Sequence, residues 1–215
     1  MTRIILDIGS THGSNLNYLR QAIDFCVSNG CELKVQLFSQ DHPAAANNLV
    51  MDHDVFASAW EYSKNPAILG YPCNFHASVF DEKSYQFYKS FKPRTIKFAH
   101  SMCNSTLIDR ALEDRFPEVI VSRDYIDNMS GRTVNLLCIP QYPVLYKLDI
   151  QPEWFTRFHG FSDHTLGIDQ TRAMIEAGAQ VIEKHVRFRD YEDCPDARFA
   201  IDERQAKWLA LYAHV

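Results

Sequence analysis

Eight apolar, β-branched runs alternate with stretches of helical periodicity from one end of the chain to the other. The runs fall at 3–8, 32–38, 73–80, 95–99, 118–122, 134–139, 159–162 and 180–186. Between them, Asn15 is placed to cap a helix that presents Leu16, Leu19, Ile23 and Val27 on one face and ends near Gly30. The same periodicity predicts helices over 53–64, 82–90, 105–114 and 202–213, and another from Asp169 that closes at Gly178. The segments after 122 and 139 are poorer in helical signal and predict short or irregular helices after the fifth and sixth strands. Strands alternating with helices require a parallel sheet, either doubly wound or closed into a (β/α)8 barrel.

Parity along the strands separates the two. Residues i and i+2 of a strand share a face. Lys34 and Gln36 alternate with Leu33, Val35 and Leu37; Asn74, His76 and Ser78 alternate with Phe75, Ala77 and Val79. Lys97 interrupts Ile96 and Phe98, Asp7 stands among Ile5, Leu6 and Ile8, and Glu183 and His185 alternate with Ile182 and Val186. Lys184 breaks that last pattern on the opposite face. A sheet covered by helices on both sides reads as near-continuous apolar runs, whereas here one face of strand after strand is polar toward its C-terminal end. A barrel with its site at the C-terminal mouth accounts for this. The expected fold is therefore a single compact α/β domain over 1–215, a TIM barrel. At 215 residues it is shorter than the ~250 typical of such barrels.

Composition excludes other classes. With 22 Lys and Arg against 27 Asp and Glu, a formal charge of −5, the chain lacks the basic surface of a nucleic-acid binder. No apolar run reaches the ~18 residues of a membrane span. The N-terminal residues lack a signal peptide's apolar region and cleavage site. Six cysteines without a Cys-x-x-Cys spacing then read as reduced thiols in a cytoplasmic protein. Neither a Gly-rich phosphate loop nor a Gly-x-Ser-x-Gly elbow is present, which disfavours nucleotide binding and serine-nucleophile hydrolysis.

Two constellations carry chemistry. His164, in Gly160-Phe-Ser-Asp-His-Thr-Leu-Gly167, and His185 lie one strand–helix–strand step apart. Two imidazoles with Asp163 and Glu183 alongside suit a divalent metal with open positions, or else two structural histidines. Lys34 and Lys97 share the inward parity, and a buried lysine needs an anion, a Schiff base or a salt bridge. Asp7 and Glu183 are the salt-bridge candidates. Ser78, Ser122 and Arg123 at neighbouring strand ends add hydroxyl and cation donors for phosphate or carboxylate. His12, alone on the loop after the first strand, reads as a solvated or capping residue.

These residues resemble the sialic acid synthase family, barrel enzymes that condense phosphoenolpyruvate with an N-acylated amino sugar. Asp7-Ile-Gly-Ser-Thr-His-Gly resembles the family's Glu-Ile-Gly-x-Asn-His-x-Gly opening, and Gly30-Cys-Glu-Leu-Lys-Val-Gln its Gly-Ala-Asp-x-x-Lys-x-Gln run. Ala77-Ser-Val-Phe-Asp, Ile96-Lys-Phe-Ala and Leu137-Cys-Ile-Pro-Gln-Tyr-Pro follow in the family's order. Gly160-Phe-Ser-Asp-His-Thr-Leu-Gly, Ile182-Glu-Lys-His-Val and Cys194-Pro-Asp are the closest matches. The resemblance implies that His164 and His185 ligate a Mn2+ or Mg2+ ion and that Lys34, Ser78, Lys97 and Ser122 hold phosphoenolpyruvate. It also implies that Gln36, Tyr142 and Asp196 face the sugar. Asp7, His100, Arg123, Asp163 and Glu183 complete the expected site.

The departures are as specific as the matches. The family's Lys-Ile-x-Ser-x-Glu run is here Lys97-Phe-Ala-His-Ser-Met102, so Met102 replaces the glutamate and His100 a phosphate-binding serine. The Ser-Thr-Gly turn is Ser122-Arg-Asp, and Asp7 is one methylene shorter than the family glutamate. The expected chain is the barrel alone, without the family's C-terminal antifreeze-like domain, and an uncovered mouth suits a homodimer. Retained anion and metal residues favour a phosphoenolpyruvate-dependent synthase. The lost glutamate leaves two alternatives, a catalytically degenerate barrel that binds an anionic sugar or partner, and a metal-dependent aldolase or lyase.

Overall fold

The computed structural model describes residues 1–9, 11–46, 50–125, 131–188 and 195–214. Eight parallel strands close into one barrel in sequence order: β1 (Arg3–Asp7), β2 (Glu32–Leu37), β3 (Phe75–Val79), β4 (Thr95–Phe98), β5 (Glu118–Arg123), β6 (Val134–Cys138), β7 (Gly160–Asp163) and β8 (Val181–His185). Every expected strand is present within two residues of its expected ends. Helices α1 (Leu16–Asn29), α2 (His53–Ser63), α3 (Pro66–Leu69), α4 (Glu82–Ser90), α5 (Thr106–Glu113), α6 (Trp154–Arg157), α7 (Asp169–Glu176) and α8 (Glu203–Ala213) surround it.

The connections after β5 and β6 are short of helix, as their sequences predict. Among the described residues no helix separates β5 from β6, and only the four-residue α6 separates β6 from β7. Elsewhere capping chemistry sets the boundaries. The Asn15 side chain accepts the amides of Asn17 and Tyr18, and Gly30 ends α1 in the left-handed region at φ 66°. Asp81 and Asp202 open α4 and α8 with reciprocal capping boxes.

The apolar core lies between strands and helices, where Leu6, Leu33, Val35, Phe75, Ala77, Ile96, Phe98 and Ile182 are sealed under Tyr18, Phe56, Tyr85, Tyr88 and Leu209. The barrel interior is separate and stratified. At its floor Arg3 bridges Glu32 and Glu118, with guanidinium–carboxylate distances of 2.8 and 2.7 Å. Above it Ile5, Ile120, Leu136 and Val181 form a small apolar plug. The next inward residues are polar and open toward the C-terminal mouth. Gly160 lets β7 approach β8 closely, since a Cβ there would lie 1.7 Å from the Val181 carbonyl oxygen.

Candidate active site

A cavity of about 250 Å³ opens at the C-terminal mouth, the end at which barrel enzymes carry their chemistry. Its walls include Asp7, Lys34, Gln36, Lys97, His100, Ser122, Tyr142, His164, Glu183, His185 and Asp196. These come from seven of the strands or the loops that follow them, and most have the inward parity read from the sequence.

Its base is a buried ion cluster. Lys34 Nζ lies 2.6 Å from Asp7 Oδ2 and 3.5 Å from Glu183 Oε2, and Lys97 Nζ lies 3.6 Å from Glu183 Oε1. Lys97 also donates to Ser122 Oγ at 2.7 Å and to the Phe98 carbonyl at 3.0 Å, while Ser162 donates to Glu183 at 2.7 Å. Burial opposes the Lys34 ammonium, but Asp7 and Glu183 outweigh it and hold its pKa above the ordinary lysine value. Burial lowers the Lys97 pKa, with Glu183 opposing. Burial disfavours the Glu183 carboxylate too, yet Lys34 and Lys97 keep its pKa low. The salt-bridge reading of the lysines is thus realised.

The two imidazoles stand on neighbouring strands with ring centres 5.5 Å apart. His185 Nε2 lies 3.3 Å from Asp7 Oδ2, so Asp7 rather than Glu183 is its carboxylate partner. The Nδ1 atom of His185 is buried without a hydrogen-bond partner. Burial, reinforced by His185, lowers the His164 pKa to about 3, leaving a neutral ring with a lone pair to offer. Phe199 packs on both rings, and Tyr142 lies 4.1 Å from His164. This donor set fits a divalent cation, with Asp7 fixing one imidazole from behind. Among the described residues no three His, Cys, Asp or Glu side chains converge as a complete ligand set, so the remaining positions would fall to substrate and water.

Two expected site residues point out of the barrel, and a third faces inward without lining the cavity. Asp163 points toward the helices, fully buried against Lys184 Nζ at 3.0 Å, Thr171 Oγ1 at 2.5 Å and the Thr165 amide at 2.8 Å. Arg123 follows inward-facing Ser122 and so projects outward, donating to Asn135 Oδ1 at 3.2 Å and the Cys103 carbonyl at 3.0 Å. Ser78 has the inward parity and stands beside Gln36 and Lys97 in the β2–β3–β4 register, but its buried hydroxyl donates to the Val35 carbonyl at 3.3 Å. Conversely, Cys138, Ser162 and Ser101 line the cavity without having been singled out. Parity two residues from His164 would have found Ser162. Burial pushes the Cys138 thiol up to about 12, so it is no nucleophile.

His12 is a buried cap rather than a solvated one, its Nδ1 accepting the Ser14 amide at 2.9 Å. Cys26, Cys31, Cys73, Cys103 and Cys138 are free and buried; Cys194 lies outside the described residues. No described helix is long and apolar enough to cross a membrane.

A closed (β/α)8 barrel whose polar interior ends in paired lysines, carboxylates and imidazoles at the mouth defines a barrel protein with a charged site at its C-terminal end. The NeuB family profile matches residues 41–213, and the chain belongs to that family. It is 24% identical over 244 residues to N-acetylneuraminate-9-phosphate synthase of Drosophila melanogaster, covering 96% of this chain. The chain spans 65% of that relative's length. Among solved structures it is similar to the N-acetylneuraminic acid (sialic acid) synthetase of Leptospira borgpetersenii serovar Hardjo-bovis in complex with citrate. The TM-score is 0.81 at 22% identity, over 99% of this chain and 82% of that one. The spore coat polysaccharide biosynthesis protein spsE of Bacillus subtilis matches with a TM-score of 0.75 at 19% identity, over 99% and 67% of the two chains. The structural likenesses bear on the fold.

Proposed function

We propose that the protein condenses phosphoenolpyruvate with the aldehyde of an N-acylated amino sugar or a related aldose and releases phosphate. The observation that carries this is the meeting of Lys34, Lys97, Ser122, His164 and His185 around one cavity of a NeuB-family barrel. In this reading Lys97 and Ser122, with Lys34 beside them, hold the phosphate and carboxylate groups, and Gln36, Tyr142 and Asp196 meet the acceptor's hydroxyls.

Charge supports a cation in the same reaction. Lys34 and Lys97 are already matched by Asp7 and Glu183, so a multiply charged anion enters a cluster that is neutral overall. His164 and His185 would hold a Mn2+ or Mg2+ ion, which when bound supplies that charge and Lewis acidity toward the acceptor carbonyl. Asp7 keeps the His185 ring oriented. The lysines stabilise charge on the phosphate as the enol C3 adds to the aldehyde carbon and water adds at C2.

Offered phosphoenolpyruvate, Mn2+ and a panel of N-acylated and plain aldoses, the protein is expected to release phosphate only when an acceptor is present. His164→Ala and His185→Ala should each weaken Mn2+ binding by at least ~10–100-fold, as disruption of metal sites commonly does, and abolish that release. Wild-type protein that is folded and releases no acceptor-dependent phosphate would contradict the reading. One observation favours a second one: Met102, which replaces the family glutamate, packs against the apolar core. Phosphoenolpyruvate binding without turnover across the panel would assign the barrel to anion binding instead.

A further inference from the structure

Most titratable groups at the mouth are already committed. Asp7, Glu183, Lys34 and Lys97 hold one another, and the Cys138 thiol is held protonated by burial. His164 and His185 have the cation assigned to them above. One imidazole–carboxylate pair stands outside this set. His100 begins the 3₁₀ turn His100–Met102 that follows β4, and its side chain forms part of the cavity wall. Its Nε2 lies 3.1 Å from Oδ1 of Asp124, the residue after β5, within ion-pair distance but not aligned as a hydrogen bond, and the two side chains remain 21% and 41% exposed.

The pair's position is informative. His100 follows Lys97 by one short turn, and Asp124 follows Ser122, the hydroxyl that Lys97 contacts at 2.7 Å. A carboxylate at ion-pair distance from one ring nitrogen favours the imidazolium there and leaves the other nitrogen for proton exchange; a small ring rotation would align the pair. The pair therefore joins the loops after β4 and β5, the strands that carry Lys97 and Ser122 into the same cavity.

We propose that His100, oriented by Asp124, is the acid–base residue at the anion end of the cavity; it takes a proton from the water that adds to C2 and returns it to the departing phosphate. This rests on the condensation reading. The ledger closes without a further reactant. The C3–carbonyl carbon bond, the C2–water oxygen bond and, as phosphate leaves, the C2=O π bond form, while the acceptor carbonyl π bond, the C2=C3 π bond and the C2–O bond to phosphate break. Of the two water protons, one ends on the new hydroxyl and the other leaves on phosphate. Asp124 touches no substrate atom in this scheme and acts as a positioning residue.

Steady-state kinetics of His100→Ala, His100→Gln and Asp124→Asn, with thermal unfolding of each as a folding control, test it. His100→Ala is expected to lower kcat by ~100-fold or more, the usual worth of general acid–base catalysis. KM for phosphoenolpyruvate should stay within about threefold, and added imidazole should restore part of the rate to His100→Ala. Asp124→Asn should lower kcat by roughly tenfold, and imidazole should not restore it. A kcat for folded His100→Ala within about threefold of wild type, or a loss expressed wholly in KM, would overturn the assignment while leaving the condensation standing. A wild-type protein silent with every acceptor overturns both.

Discussion

Asp163→Ala is expected to lower the unfolding free energy by about 3–5 kcal/mol, the usual cost of leaving one member of a buried ion pair alone. Asp163 and Lys184 are both fully buried, 3.0 Å apart, on the helix-facing side of β7 and β8. Truncation strands the Lys184 ammonium with the Thr165 carbonyl at 2.6 Å and removes the acceptor for the Thr171 hydroxyl and the Thr165 amide. Pairing Asp163→Ala with Lys184→Met should recover much of the loss, because replacing both charges with apolar groups is often neutral. The pair also makes stability depend on acid. Burial disfavours the Asp163 carboxylate, but Lys184 and Thr171 outweigh it and hold its pKa below the ordinary 3.8. A depressed folded-state pKa means that the contribution is complete above the unfolded-state value and is lost as pH falls through the folded one. Urea midpoints of wild type and Asp163→Ala should therefore converge below about pH 4. Equal stability of the two proteins at pH 7 would contradict this account of the pair.

Lys97→Met should lower acceptor-dependent phosphate release by ~10²–10³-fold, the scale found when one preorganised charge-stabilising donor is removed. Lys97 is 1% exposed and holds Ser122 and Glu183 at once. Its loss removes a positive charge from the anion's position and leaves Glu183 to Lys34 alone, turning a neutral cluster net negative. Both effects repel a phosphate or carboxylate, so the fall should appear in kcat/KM for phosphoenolpyruvate. Mn2+ affinity should change little, because the imidazoles lie just after β7 and at the end of β8. Activity within about threefold of wild type would remove Lys97 from the anion site.

The barrel was legible because period-two polarity along β2, β3 and β8 cannot be reconciled with a sheet covered on both faces. The same parity identified Lys34, Gln36, Lys97, Glu183 and His185 as cavity residues. Where site residues were misplaced, sequence adjacency had overridden parity. Asp163 precedes His164 and Arg123 follows Ser122, so each faces away from the neighbour that drew attention to it. Lys184, the residue that broke the pattern of β8, is explained by Asp163, which stands opposite it in the β7–β8 register. Ser78 shows the remaining limit: parity places it inward beside Gln36 and Lys97, but does not say that its hydroxyl turns to the Val35 carbonyl. The His100–Asp124 pair was beyond reach of pattern, since it joins two loops whose approach depends on how β4 and β5 end.

The most direct measurement uses phosphoenolpyruvate labelled with 18O at the bridging C2–O position, incubated with Mn2+ and an N-acylated amino sugar. If water adds at C2 and the C2–O bond breaks, the phosphate released carries the label, in one-to-one proportion with a new carbon–carbon product. Unlabelled phosphate, or labelled phosphate without that product, would contradict a condensing site.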